Sequence, residues 1–156
     1  MTILTNLFAE AYPALELRAP VLENGFFVDI IGSITDPKFI ENVVADIAKH
    51  RSGYTVDQYL APAYNGDFAD WVAVFDAAAS AKGPFRMIEL GAGYGRWSAI
   101  AARAALRLGR PIGHLGLFEA EPSPHAWAGE HMQTNGFAQS ITDIHWAAVG
   151  DKGGEA

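Results

Sequence analysis

The 156 residues contain no cysteine, which excludes disulfides and thiolate metal sites. They also contain no apolar run near the ~18–20 residues needed to cross a bilayer. Met1–Pro20 carries Glu10 and Glu16 and lacks the long apolar centre of a signal peptide. Positive charge is scarce, with 11 Lys and Arg against 18 Asp and Glu and a net charge of −7. Such a chain is a poor partner for nucleic acid or an anionic membrane surface. Soluble and cytoplasmic is the expectation. Metal-ligand spacing is missing too. His125 and His131 lie six apart, so a helix turns them about 120° from one another, and both read as packing or surface residues. Internal repeats and low-complexity linkers are absent. What is present is apolar material: half of the residues are hydrophobic, enough for one domain with a real core.

The first 83 residues read as an N-terminal, mainly helical accessory layer. Leu4–Tyr12 predicts a short helix, and Gly25–Gly32 a strand bounded by glycines. Thr35-Asp36-Pro37 opens a helix expected to run to His50. Val56–Leu60 suggests a helical turn, and residues 61–66 a loop. Asp67 is placed as the cap of a helix over Phe68–Ala81 with Trp71, Val72 and Phe75 in its buried stripe.

From residue 84 the pattern changes. Phe85–Leu90 predicts a strand, Arg96–Leu108 a helix, His114–Glu119 a strand, Pro124–Thr134 a helix capped at Ser123, and Ile141–Val149 a third strand. In the first of these helices Trp97, Ile100, Ala101, Ala104 and Leu108 share one face. Arg96, Arg103, Arg107 and Arg110 fall mostly on the other, a solvated face by expectation. His145 and Trp146 alternate in the last strand, so one is expected in the core. Strand–helix–strand–helix–strand is the first half of an α/β, Rossmann-like doubly wound sheet, and the right-handed crossover rule puts both helices on one face. The sequence is read as a truncated core. Its first strand would lack a neighbour on one side, leaving an apolar edge open.

The chemistry centres on Glu89-Leu90-Gly91-Ala92-Gly93-Tyr94-Gly95, a strand end followed by alternating glycines. Glycines there give the backbone unusual dihedrals and let a ligand approach. A phosphate loop of the GxxxxGK[ST] kind is excluded, because no Lys-Ser or Lys-Thr follows. A dinucleotide fingerprint needs its third glycine at residue 96, which is Arg96. A pyrophosphate also wants the positive end of a helix. The carboxylate of Glu89 suits a cationic ligand instead. At the end of the second strand Glu119 is placed to accept hydrogen bonds from ribose hydroxyls, and Glu121 takes that role if the strand is longer. Small residues around Ala148 are candidates to line an adenine edge.

The runs MIELGAGYGRW, LFEAEPSPHAW, TNGF and AAVGDKGGE, in this order, resemble class I S-adenosylmethionine-dependent methyltransferases, and among these most closely the FkbM type. The resemblance covers roughly Phe85–Glu155. It implies S-adenosylmethionine as cofactor, with Glu89, Gly91, Ala92, Gly93, Tyr94 and Gly95 forming the loop under its methionine part. It implies Glu119 or Glu121 at the ribose and Ala148 at the adenine. The implied reaction is O-methylation of a small-molecule hydroxyl of sugar or natural-product type. The partner is then a small methyl acceptor, with homo-oligomerisation open. A nicotinamide-dependent oxidoreductase and a non-catalytic interaction domain are the alternatives.

Overall fold

A computed structural model of the chain describes residues 3–42, 45, 59–62 and 67–150. The N-terminal layer begins with helix α1, Ile3–Ala11, and a 3-10 turn, Pro13–Leu15. Three short strands follow, β1 Val21–Glu23, β2 Phe26–Val28 and β3 Ile34–Thr35, in an antiparallel sheet of order β1-β2-β3. Strands β1 and β3 have too few residues to show a period. The strand expected over Gly25–Gly32 stops at Val28. There the Asp29 carboxylate accepts from the backbone N–H of Ile31 at 3.0 Å and of Ser33 at 2.8 Å, and Gly32, at φ 82°, donates to the Asp29 carbonyl. Such side-chain bonds offer the backbone a turn in place of a ladder. Ile30 and Ile31, whose bulk suggested a strand, are wholly buried within this turn. The helix expected from Pro37 opens as a 3-10 turn, Pro37–Ile40, with the Asp36 carboxylate accepting from the Lys38 N–H. Glu41, Asn42 and Ala45 are helical, as expected, while residues 43, 44 and 46–50 of that helix, the turn at 56–58 and the loop at 63–66 lie outside the described residues.

The second unit runs α2 Phe68–Ser80, β4 Phe85–Leu90, α3 Arg96–Arg107, β5 Ile112–Glu119, α4 Pro122–Thr134, a 3-10 turn Gln139–Ile141 and β6 Thr142–Trp146. The three strands form a parallel sheet of order β4-β5-β6, with Met87, Leu115 and Thr142 in one row and Leu90, Phe118 and His145 in another. This is the α/β, Rossmann-like half-sheet expected from the pattern. Three boundaries move by more than one residue. Strand β5 starts at Ile112, not His114. Helix α4 starts at Pro122 with Glu121 as its cap, not at Ser123-Pro124. Strand β6 ends at Trp146, because its partner β5 ends at Glu119, the residue paired with it.

Both helices cover the face to which Leu115 and Leu117 point. A Cβ on Gly95, at the start of α3, would meet Leu117 at 2.6 Å and Ala128 of α4 at 4.0 Å. The other face is bare, with Ile88 67% and Leu90 58% exposed on the edge strand β4. His145 lies on this bare face, stacked on Phe118 at 4.4 Å. Trp146, on the covered side, is still 61% exposed, so neither residue joins the core. No described helix is long and apolar enough to cross a membrane.

Helix α3 is enclosed along most of its length, with Leu106 exposed near its end. The sheet lies beneath it, α2 packs along it with Trp71 edge-on to Trp97, and the N-terminal layer closes the remainder. Ala99, Ala101, Ala102, Ala104 and Ala105 are all wholly buried, small enough to let these layers approach. The arginine face is therefore not solvated. Arg107 donates to the carbonyls of Leu15 and Glu16 at 2.6 and 2.8 Å, and Arg103 to the carbonyl of Asn135 at 3.1 Å. Arg96 pairs with Asp67 at 2.6 Å, bonds the Tyr59 carbonyl and stacks on the Tyr59 ring. Asp67 thus turns to Arg96 and makes no capping hydrogen bond to α2. Asn135 relays the grip, since its amide exchanges hydrogen bonds with both backbone groups of Ile34. The glycines at 109 and 136 close α3 and α4 as Schellman caps, with Arg110 N–H bonding Ala105 O and Phe137 N–H bonding Met132 O.

Candidate cofactor site

The site begins where β4 ends. Gly91, Gly93 and Gly95 have φ of 68°, 56° and 78°, a region L side chains enter at a cost of roughly 1–2 kcal/mol. They differ in what surrounds them. Gly95 is packed against Leu117, whereas at Gly91 and Gly93 an added Cβ would meet nothing within 4 Å. The loop is tied to β5 by the N–H groups of Gly91 and Ala92, which both donate to the Phe118 carbonyl.

Two carboxylates hold this loop, from different sides. Glu89 points to the helix-covered face. Its Oε2 accepts from the Ser98 N–H at 2.9 Å and the Ser98 hydroxyl at 2.5 Å, so it fills the N-terminus of α3 from beneath. Burial raises its pKa above the usual carboxylate range, against the bonds from Ser98. Glu119, at the end of β5, accepts from the Gly93 N–H on Oε2 and from the Glu121 N–H on Oε1, each at 2.7 Å. The Glu121 bond leads the causes that lower its pKa, so Glu119 is ionised and accepts only. Its two oxygens together offer about four lone-pair directions, more than the backbone N–H groups use.

A cleft of about 290 Å³ opens at the carboxyl ends of the three strands, lined by Leu90, Gly91, Phe118, Glu119, Ala120 and residues 147–149. That is the low end of the ~300–1,000 Å³ of small-molecule sites, and in the crevice where open α/β sheets bind ligands. The Trp146 indole N–H donates to the Ala120 carbonyl and the Ala147 N–H to the Glu119 carbonyl, which fixes the far wall.

Of the residues the sequence singled out, Gly91, Glu119 and Ala148 share this cleft, with Gly93 bonded to Glu119. Glu89 and Gly95 lie beneath the loop, and Ala92 is buried against β5. Glu121 is exposed as the α4 cap and lines no part of the cleft. Tyr94 also lies outside it, stacked on Phe39 at 5.5 Å and edge-on to His131 at 5.0 Å. His131 is a packing residue, wholly buried, with burial lowering its pKa to about 4. Sequence reasoning missed Leu90, Phe118 and Ala120 as lining. Their place at the carboxyl ends of strands was the signal that marks them.

No protein-family model matches the chain, and no curated protein matches it. Among solved structures, a SAM-dependent methyltransferase from Agrobacterium tumefaciens aligns with a TM-score of 0.39 and 19% identity. The alignment covers 58% of this chain and 26% of that one, so the chain spans about a quarter of its length. A likeness this slight carries no functional argument.

Proposed function

We propose that this chain binds S-adenosylmethionine and serves methyl transfer to a small-molecule hydroxyl. The observation that carries the reading is the carboxylate of Glu89 seated at the N-terminus of α3. That is where a dinucleotide's pyrophosphate would be received by free N–H groups and the helix dipole. A ligand with an alcohol-bearing ribose and a cationic tail does not compete for that place.

The residues fit such a ligand. The unfilled space over Gly91 and Gly93 is room that a Cβ would take, next to an ionised Glu119 with lone pairs to spare. Glu119 would hold the ribose hydroxyls, Gly91 and Gly93 would admit the amino-acid tail, and Ala148 would border the adenine. When bound, the cofactor supplies an electrophilic methyl group. The chain's own contribution is placement: a loop fixed at both ends and a half-buried carboxylate beneath it. Transfer reactions of this kind gain most from such alignment.

Calorimetric titration with S-adenosylmethionine, S-adenosylhomocysteine and NAD tests this. Saturable binding of the two sulfur ligands and none of NAD is expected. Binding of NAD alone would overturn the reading in favour of an oxidoreductase, and no binding of any of the three would favour an interaction domain.

A further inference from the structure

Tyr94 sits between two glycines of the loop, yet its side chain turns into the N-terminal layer. Its hydroxyl is 2.9 Å from that of Tyr59, and its ring is stacked on Phe39. Tyr59 is gripped in turn by Arg96, whose guanidinium lies 4.0 Å from its ring centroid and donates to its carbonyl. One residue of the N-terminal layer therefore touches both sides of Gly95, at 94 through its hydroxyl and at 96 through its ring and carbonyl. On the opposite side the loop is held by Glu119, through the Gly93 N–H. Between these grips the positive φ of Gly91 and Gly93 is held by backbone hydrogen bonds to Phe118 and Glu119 and not by packing, since an added Cβ at either would meet nothing within 4 Å. Backbone of that kind persists only where its surroundings over-determine it.

We propose that the Tyr59–Tyr94 hydroxyl pair is a positioning device, through which the N-terminal layer holds the glycine loop in its ligand-ready form. The proposal rests on the S-adenosylmethionine reading for its ligand. Neither hydroxyl reaches the cleft, so neither residue is catalytic. Each acts by keeping the competent loop populated, and the apparent dissociation constant rises as that population falls. Burial holds the Tyr94 phenol well above its usual pKa, so its hydroxyl keeps the proton at neutral pH.

The test is calorimetry with S-adenosylhomocysteine on the full chain, together with amide hydrogen exchange across residues 91–95, for Tyr59→Phe, Tyr94→Phe and the double variant. Phenylalanine keeps both rings in place, so the fold should persist. Each single variant is expected to bind about fivefold more weakly, the worth of one hydrogen bond, with faster exchange in the loop. The double variant is expected to be no weaker than either single one, because both remove the same bond. Single variants that bind within about twofold of wild type, with only a lower melting temperature, would overturn the proposal by making the pair a purely structural contact. If wild type binds no S-adenosylhomocysteine, the cofactor reading fails by itself, and exchange decides the positioning role: unchanged exchange at 91–95 in Tyr94→Phe overturns it, and faster exchange supports it.

Discussion

Gly95 and Gly93 are two residues apart and share positive φ, but the structure assigns them different work. Alanine at either position must enter the left-handed region, at roughly 1–2 kcal/mol. At Gly93 nothing lies within 4 Å of the new Cβ, so that is the whole cost to stability. At Gly95 the Cβ would stand 2.6 Å from Leu117 Cδ2, and Leu117 is wholly buried. Overpacking of a filled core adds roughly 1–3 kcal/mol, so Gly95→Ala should lose about 2–5 kcal/mol in all. Ligand binding should run the other way. Gly93→Ala and Gly91→Ala place a methyl in the space proposed for ligand, and should abolish S-adenosylhomocysteine binding in chains that still fold. Urea denaturation with a shared m-value gives the first comparison, and calorimetry the second. If Gly95→Ala proves as mild as Gly93→Ala, Leu117 has room to move and the packing argument is wrong. If Gly91→Ala and Gly93→Ala bind as wild type does, the open space is not ligand space.

Three further outcomes are expected. Glu119→Ala should weaken S-adenosylhomocysteine binding more than tenfold, since hydrogen bonds to a charged group contribute ~1.5–3 kcal/mol each, while Glu121→Ala changes it little; calorimetry giving the reverse order would move the ribose site to Glu121. Glu89→Gln keeps an acceptor for Ser98 and should lose only about 1 kcal/mol of helix-dipole interaction, whereas Glu89→Leu strands the Ser98 N–H and hydroxyl and should lose roughly 2–4 kcal/mol by chemical denaturation. Stability against pH should carry two opposed slopes. Asp29, raised by burial from 3.8 to about 7, holds its proton more tightly when folded, so its contribution falls as pH rises through that window, by about 4 kcal/mol. His131, lowered from 6.5 to about 4, holds its proton less tightly when folded, so its contribution rises with pH between those values, by about 3 kcal/mol. Between pH 4 and 6.5 they oppose one another. Asp29→Asn should leave a rising profile there and His131→Phe a falling one, and identical profiles in both variants would refute the assignment.

What the sequence made legible was periodic or punctuated. Strand β4 ran from Phe85 to Leu90 as expected, because its glycine and proline flanks and its apolar run agree. The ends of α3 and α4 were set by Gly109 and Gly136, residues whose positive φ the caps require. Asp29 defeated the same method. Its local hydrogen bonds overrode the β-rich run around it, and no periodicity reports a side chain that bonds its own backbone. The arginines of α3 were misread for a different reason. A charged face predicts solvent only if nothing else packs on the helix, and here a layer 37–92 residues distant in sequence supplied carbonyl acceptors. In the site, Gly91 and Glu119 were readable from their types and order. The diversion of Tyr94 toward Tyr59 and Phe39 was not, because it depends on tertiary contacts alone.

The arginine grip has a consequence for how the protein tolerates change. Arg107 holds Leu15 and Glu16 by their carbonyls, Arg96 holds Tyr59 by its carbonyl, and Arg103 holds that of Asn135. Every residue type, proline included, offers the same oxygen. The exposed side chain at Glu16 is therefore free to drift without loosening the clamp, while the arginines are not. A sequence library should therefore show intolerance at the three arginines of α3 and latitude at the exposed Glu16 that Arg107 grasps.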